Sequence, residues 1–253
     1  MKTVNVRGVE IGAGRTKIFS SLCAKTNADL VEQARALQGI PVDVAEWRLD
    51  WYDEVFNTEA LLEAAKILRD TLGDRPILAT FRSKAEGGEK EVEPAKYAEL
   101  NKALADSGLG DIVDIEAFMD DAVVPQLIAD VHAAGKFALL SNHDFSKTPS
   151  YETIVGNYQK MQDMGADIAK ISYWPNSRKD VLMTLEATLD MYENHAEIPL
   201  LCVSMSPLGT LARLCGEFVG SCASFGAAKQ ASAPGQVDVP TLNQVLNTLH
   251  SAL

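Results

Sequence analysis

A single lysine inside an apolar segment is the first group in this sequence that could do chemistry. Lys170 lies in the stretch Ile-Ala-Lys-Ile-Ser-Tyr, residues 168–173, whose composition is typical of a buried β-strand. Burial disfavours a charged ammonium, and a neutral amine is a nucleophile that condenses with a ketone to form an imine. The alternative is that the flexible stem of Lys170 carries its charge to water. Lys170 by itself does not decide between the two.

An imine also needs a neighbouring group that moves protons. His143 follows an apolar run at residues 137–142. Because a histidine titrates near neutrality, it could take a proton from the carbon beside an imine and hand it to a leaving hydroxyl. Glu86 lies in a loop with Gly87 and Gly88 and could orient the imidazole. The alternative for His143 is a histidine satisfied by backbone groups at the end of a strand.

Three arginines predict an anionic substrate. Arg48, Arg82 and Arg213 lie at or after the ends of three different apolar runs. Their permanently charged guanidinium groups could grip a carboxylate through paired hydrogen bonds. Glu46 could accept hydrogen bonds from substrate hydroxyls, or pair with the arginines. With an imine-forming lysine, this set predicts a small keto acid as the substrate.

A short segment near the C-terminus has the composition of a closing loop. Residues 231–236 read Ala-Ser-Ala-Pro-Gly-Gln, and Ser232 and Gln236 are their hydrogen-bonding side chains. The alternative is an ordinary connection to the last helix.

The elements that must position these residues are predicted from the alternation of short apolar runs with helix-like segments, which is typical of βα units on a parallel sheet. The sequence predicts eight strands, at residues 18–22, 42–48, 77–81, 112–116, 137–142, 168–173, 200–204 and 221–224. Eight units in 253 residues favour an α/β fold of the closed (β/α)8 TIM-barrel type over an open doubly wound sheet. In such a barrel the candidate residues converge at the carboxyl ends of the strands.

Local signals mark the ends of several elements. Asn27 and Thr58 are predicted to cap helices, and Pro94 suits the first turn of another. Glycines at positions 39, 73, 135 and 165 are predicted to end helices in a left-handed conformation. Residues 3–11 alternate apolar and polar side chains before a glycine-rich turn. They predict a β-hairpin that closes the bottom of the barrel.

Composition excludes several classes of function. With 35 acidic and 23 basic residues the net charge is −12, which argues against a nucleic-acid partner and against an anionic membrane surface. No segment approaches the roughly 20 apolar residues of a membrane span, and the N-terminus lacks the apolar core of a signal peptide. We therefore predict a cytoplasmic location and one domain over residues 1–253. The cysteines form no CxxC pair, and no metal-site pattern occurs.

Taken together, the motifs resemble those of the type I 3-dehydroquinate dehydratases, the Schiff-base class of the shikimate pathway. The resemblance runs end to end and rests on EWRLD at 46–50, TFR at 80–82 with EGG at 86–88, SNHDF at 141–145, AKI at 169–171, RL at 213–214 with GE at 216–217, and SAPGQ at 232–236. It implies a homodimeric barrel lyase that converts 3-dehydroquinate to 3-dehydroshikimate and water without a metal or organic cofactor.

The resemblance also implies a role for each candidate residue. Lys170 would form the imine, His143 would act as general acid and base, and Glu86 would support His143. The implied substrate contacts are Ser21, Glu46, Trp47, Arg48, Arg82, Arg213, Ser232 and Gln236.

The chain departs from the usual pattern of that family at five positions, which are Ser172, Tyr173, Trp174, Val203 and Pro207. They border the expected pocket and therefore bear on substrate fit and turnover. Strand alternation lets only one of Tyr173 and Trp174 face the lumen. The alternatives are another imine-forming lyase or aldolase for a small keto acid, or a barrel that binds a metabolite or partner without catalysis.

Overall fold

Strands and helices alternate along the chain in nearly the predicted order. In the computed structural model, which describes residues 3–229 and 234–253, the strands are β1 (Val4–Val6), β2 (Val9–Ile11), β3 (Lys17–Leu22), β4 (Val44–Arg48), β5 (Ile77–Thr80), β6 (Ile112–Glu116), β7 (Phe137–Asp144), β8 (Ile168–Tyr173), β9 (Leu200–Ser204), β10 (Ala223–Ala227) and β11 (Val237–Asp238). The helices are α1 (Asn27–Ala36), α2 (Thr58–Leu72), α3 (Pro94–Ser107), α4 (Val124–Ala133), α5 (Tyr151–Asp163), α6 (Arg178–Asn194), α7 (Thr210–Leu214) and α8 (Val239–His250). Among the described residues, no helix is long and apolar enough to cross a membrane.

Strands β3 to β10 form a closed parallel barrel. Each of β3 to β8 pairs with the next strand in the chain, and β10 returns to pair with β3. An isolated bridge between Leu200 and Ser221 joins the remaining edge, where the Cys222 N–H donates to the Leu200 carbonyl at 2.7 Å. The (β/α)8 prediction is therefore confirmed, and the open sheet is excluded.

The eighth predicted strand begins two residues too early. The side chain of Ser221 accepts a hydrogen bond from the Cys202 N–H at 3.0 Å, so a hydroxyl takes the place of a ladder partner there. The regular pairing with β3 begins only at Ala223. A side-chain contact of this kind is invisible in a pattern of apolar residues.

Two predicted helix caps are displaced by one residue. Thr26 and Asn57 are the actual N-caps of α1 and α2, and each accepts a hydrogen bond from a backbone N–H of the first turn. The predicted caps are the first helical residues instead, because the residue before each is also a good acceptor. Pro94 lies in the first turn of α3 as predicted, and glycines 39, 73, 135 and 165 all have positive φ.

Strand alternation divides the apolar side chains between two layers. The first inward-facing residues of the strands form an inner cluster with the hairpin side chains Val4, Val6 and Ile11, so β1 and β2 close the N-terminal mouth as predicted. The intervening residues of each strand pack outward against the helices. Residues further along the inner face consequently point into the opposite, C-terminal mouth, where the polar side chains collect.

Candidate active site

An open cavity occupies the C-terminal mouth of the barrel. Its wall includes eight of the predicted catalytic and substrate-binding residues, which are Ser21, Glu46, Arg48, Arg82, His143, Lys170, Arg213 and Gln236. They come from strands or loops far apart in the chain, and the closure of the barrel brings them to one place.

Lys170 is held inside this cavity and does not carry its charge to water. The residue is 5% exposed, and its Nζ donates to Asp114 Oδ2 at 3.3 Å. Glu46 Oε1 lies 3.9 Å from the same nitrogen, and the Phe225 ring centroid lies 4.8 Å away. Two carboxylates and an aromatic face therefore surround a nitrogen that opens only toward the cavity.

Asp114 is the central residue that sequence reasoning missed. It is fully buried beneath the cavity, accepts from Arg82 Nη2 at 2.8 Å and accepts from the Ser141 hydroxyl at 2.6 Å. Burial raises the pKa of this carboxyl, but the Arg82 and Lys170 cations outweigh burial and bring its pKa below the ordinary value. Period-two alternation within the correctly predicted strand β6 could have revealed it, since Asp114 shares the inner face with Glu116.

Glu86 and His143 form a directly bonded pair. Glu86 Oε2 lies 2.8 Å from His143 Nδ1 and also accepts from the His143 backbone N–H at 3.1 Å. The loop that carries Glu86 is fixed by a short 3-10 turn, Lys84–Glu86, capped by the Ser83 side chain. With Nδ1 bonded to the carboxylate, His143 keeps Nε2 for another partner, and the residue lines the cavity.

The electrostatic surroundings drive the pKa values of this pair in opposite directions. Burial, together with the Arg82, Lys170 and Arg48 cations, lowers the pKa of His143 well below its usual value. Burial raises the pKa of Glu86 to about 8, with Glu116 and Asp114 adding to the rise and Arg82 opposing it. The arrangement favours an uncharged imidazole, as a general base requires.

The three predicted arginines have different surroundings. Arg48 makes two parallel hydrogen bonds with Asp50, both at 2.8 Å. Burial lowers the pKa of Arg82, but its carboxylates Asp114, Glu116 and Glu86 outweigh burial and raise it. Arg48 and Arg82 are therefore already engaged with carboxylates of the chain.

Of the three predicted arginines, Arg213 is the one with no counter-ion among the described residues. It is 3% exposed, forms no ion pair with a described residue, and its Nε has no hydrogen-bond partner. A single weak bond runs from its Nη2 to the Pro234 carbonyl at 3.4 Å. Burial lowers the pKa of Arg213 to about 10. A buried guanidinium in this state is the strongest candidate for an external carboxylate, because unpaired buried donors are costly.

Glu46 lies at the base of the cavity between hydroxyl groups. The Thr80 hydroxyl donates to its Oε1 at 3.0 Å, and the Ser21 hydroxyl donates to its Oε2. Because alternate residues of β4 face the lumen, Glu46 and Arg48 both point inward.

Trp47 lies on the opposite face of β4. It is 1% exposed, packs among the outer apolar residues and contacts Tyr52 edge to face, and it does not line the cavity. The expectation that Trp47 touches substrate is corrected, because β4 turns alternate side chains to opposite faces. Ser232 falls outside the described residues.

The departures from the family pattern separate by strand face. Ser172 and Val203 line the cavity. Tyr173 is fully buried among the outer apolar residues, whereas Trp174 packs against the inner cluster, so Trp174 is the one on the lumen side. Pro207 begins a 3-10 turn and does not line the cavity.

Further cavity residues were given no site role from the sequence, although Thr80, Gly87, Phe145 and Pro234 lie within the quoted motifs. They are Trp51, Thr80, Gly87, Glu89, Phe145, Met205, Phe225 and Pro234. Most lie in loops or are apolar, so nothing in their residue type marks them as site residues. Among the described residues, no group of three or more His, Cys, Asp or Glu side chains is placed to hold a metal ion.

Fold and site together define a (β/α)8 barrel enzyme whose polar cavity lies at the C-terminal mouth. Comparison with known proteins is consistent across sequence and structure. The family model described as type I 3-dehydroquinase matches residues 18–252. The chain belongs to this family.

Relatives with the same description align along the full chain. A 3-dehydroquinate dehydratase of Escherichia coli O7:K1 is 47% identical over 252 residues, with 100% of both chains covered, and that of Escherichia coli K12 is 46% identical with the same coverage. The crystal structure of the type I 3-dehydroquinate dehydratase from Clostridium difficile with covalently modified comenic acid has a TM-score of 0.97 at 42% identity, covering 100% of this chain and 99% of that one. The structure from Enterococcus faecalis has a TM-score of 0.91 at 37% identity, covering 97% and 98%.

Proposed function

We propose that this chain dehydrates 3-dehydroquinate to 3-dehydroshikimate and water through an imine on Lys170, without a metal or organic cofactor. The names of the full-length relatives support the substrate and the reaction. The observation that carries the imine is the buried Nζ of Lys170, which lines the same cavity as His143 and is held by Asp114 at 3.3 Å.

Lys170 is the nucleophile. After its ammonium transfers a proton to His143, the amine adds to the C3 ketone of the substrate, and the carbinolamine takes that proton back on its hydroxyl and loses water to give a protonated imine. The positive charge then lies on the nitrogen that Asp114 and Glu46 face at 3.3 and 3.9 Å. These fixed carboxylates stabilise that charge.

His143 moves the protons of the elimination. Its Nε2 removes the C2 proton, which the neighbouring iminium makes acidic, and the C1 hydroxyl leaves as water with a proton returned by the imidazole. Ionised Glu86, at 2.8 Å from Nδ1, holds the ring in the tautomer that this requires. One water then hydrolyses the imine, which frees the product and restores Lys170. The net reaction releases one water.

Arg213 binds the substrate carboxylate. Its unpartnered Nε and weakly bonded Nη2 supply the donors that a carboxylate accepts in parallel. Ser21, Glu46 and Gln236 line the cavity for the hydroxyl groups. Arg48 and Arg82 contribute positive potential and hold the carboxylates of the site in place. Ser232 is proposed as a further substrate contact on the basis of the sequence alone.

Borohydride trapping tests this proposal. The protein is incubated with 3-dehydroquinate and sodium borohydride, and peptide mass spectrometry locates the reduced adduct. We expect one adduct, on Lys170, with none in Lys170→Ala and an unchanged adduct in the control Lys66→Ala, whose lysine is exposed on α2. His143→Ala should still give the adduct while turnover stops. A folded protein without an adduct on Lys170 would refute the mechanism.

Three further expectations belong to the proposal. They are one domain over residues 1–253, a homodimer and a cytoplasmic location. Light scattering after size-exclusion chromatography measures the oligomeric state, and a mass near 27.4 kDa would contradict the dimer.

A further inference from the structure

A chain of hydrogen bonds runs outward from Glu86, away from the cavity. Glu86 Oε2 is engaged by His143, whereas its Oε1 accepts from Asn142 Nδ2 at 3.3 Å. The carboxylate is therefore held on two sides. The imidazole fixes one oxygen and the Asn142 amide fixes the other, so the orientation of that amide bears on the position of the pair.

The Asn142 amide is itself oriented by two polar side chains. The Tyr173 hydroxyl donates to Asn142 Oδ1 at 2.9 Å. Asn157 Nδ2 donates to the Tyr173 oxygen at 2.9 Å and to Asn142 Oδ1 at 3.3 Å. A reversed amide would turn its oxygen toward the Glu86 carboxylate and its NH2 group toward the Asn157 donor. Both contacts would be repulsive, so this arrangement fixes one orientation.

The Tyr173 hydroxyl is linked to the active-site pair through this network. It is fully buried on the outer face of β8, and it does not line the cavity. Its hydroxyl nonetheless makes the shorter of the two bonds to the Asn142 oxygen. We infer that Tyr173 is a positioning residue, which acts through Asn142 to hold Glu86 and thereby His143. This inference rests on the proposed function, in which His143 moves the protons.

Loosening the Asn142 amide should change the pKa of Glu86 in one direction. Glu86 is faced by Arg82, Asp114, Glu116 and His143, and burial already raises its pKa to about 8. The hydrogen bond from Asn142 opposes that rise because it favours the ionised carboxylate. A loosened Asn142 amide should raise the pKa of Glu86 further, and the ionised Glu86 that orients His143 should form only at higher pH.

The kinetic test uses Tyr173→Phe, which removes only the hydroxyl oxygen of the side chain. In Tyr173→Phe we expect kcat to fall about three- to tenfold with KM unchanged, and the acid limb of the kcat profile to move up by about 0.5 to 1 pH unit. The matched control is Tyr158→Phe, an equally buried tyrosine on α5 whose hydroxyl donates to the Leu201 carbonyl at 3.2 Å. The control should keep the wild-type profile.

A double-mutant cycle tests the route. If Tyr173 acts through Asn142, Tyr173→Phe should have no further effect on kcat in an Asn142→Ala background, because the amide it orients is already gone. Additive effects of the two substitutions, or a pH profile unchanged in Tyr173→Phe, would overturn the inference.

A measurement without substrate keeps the inference separate from the proposed reaction. The two ring 15N shifts of His143, assigned by difference from His143→Ala, report its tautomer in the free protein. Tyr173→Phe should lower the population with the proton on Nδ1, and Tyr158→Phe should not. Equal tautomer populations in wild type and Tyr173→Phe would overturn the positioning role. A wild-type protein that does not turn over 3-dehydroquinate would instead refute the proposed function, and the 15N comparison would still decide the role of Tyr173.

Discussion

Replacing Asp114 by asparagine should destabilise the barrel far more than a change of one atom suggests. The substitution keeps the shape and removes the charge, so the hydrogen bond with Ser141 can persist. What is lost is the counter-charge that Arg82 Nη2 meets at 2.8 Å and Lys170 Nζ meets at 3.3 Å. Both cations are almost completely buried, so water cannot replace the missing carboxylate.

The size of the loss in unfolding free energy depends on the partners that Arg82 and Lys170 keep. Removing one member of a buried ion pair costs about 3 to 5 kcal/mol, because the other charge stays buried and unpaired. Arg82 still has Glu116 at 3.1 Å, and Lys170 still has Glu46 at 3.9 Å. These contacts offset part of the loss. We therefore expect the free energy of unfolding to fall by about 3 kcal/mol, the lower end of that range.

The loss of stability in Asp114→Asn should depend on pH, and the pKa of Asp114 gives its direction. The pKa of Asp114 lies below its ordinary value, so its carboxylate contributes stability above the unfolded-state pKa of about 3.9 and loses that contribution as the pH falls through the folded-state pKa. The difference between wild type and Asp114→Asn should stay constant from about pH 5 to 7 and shrink below about pH 4.

Urea unfolding followed by tryptophan fluorescence and far-UV circular dichroism measures the difference. The matched control is Asp70→Asn, which breaks the exposed ion pair with Lys66 on α2, although its two atoms are only 2.6 Å apart. Solvent screens that pair, so its loss should leave the unfolding midpoint unchanged within error. Equal midpoints for the two variants would refute the argument that burial makes Asp114 important.

Three other predictions follow from single contacts. Arg213→Lys should raise KM for 3-dehydroquinate at least tenfold in steady-state assays, because an ammonium cannot form the paired bonds; an unchanged KM would contradict carboxylate binding. Gly88→Ala should lower the melting temperature, since its Cβ would lie 1.9 Å from the Arg82 carbonyl oxygen. Gly156→Ala in α5, where the added Cβ meets open space, should raise the melting temperature. The reverse order of melting temperatures would contradict the packing around the two glycines. Glu86→Gln should gain stability relative to wild type as the pH rises from about 4.5 to about 8, because in that window the wild-type carboxyl ionises in the unfolded chain but stays protonated in the folded one. A pH-independent difference in urea titrations would contradict the shift.

Much of the site was predictable because the fold has a simple rule. Once alternating apolar runs predict a closed barrel, the polar residues at strand ends must meet at one mouth. Lys170, His143 and Arg213 were found in this way, and all three line the cavity. Trp47 was assigned to the substrate contacts by the family resemblance instead, and its side chain packs outward while its neighbours Glu46 and Arg48 line the cavity. Membership of a sequence motif does not determine on which face of the strand a side chain lies.

The residue that sequence reasoning missed is hidden for a physical reason. Asp114 is a fully buried carboxylate whose partners Arg82, Ser141 and Lys170 lie in other strands or loops. An acidic residue within an apolar strand is visible in the sequence, but its counter-charge is not. Tyr173 shows the same limit from the outer face, since its hydroxyl reaches Glu86 only through an amide on the neighbouring strand.

The sequence by itself determined the barrel, the hairpin beneath it and the set of reactive groups at its open mouth, because the period of the apolar residues and the positions of the strand ends are local properties. Only the tertiary structure decided which of those charged side chains pair with one another. Arg48 and Arg82 are paired with carboxylates of the chain, whereas Arg213 has no counter-ion among the described residues. Arg82 and Asp114 are 32 positions apart, and Glu86 and His143 are 57 apart, so their contact depends on strand register and barrel closure. No local pattern encodes these distances.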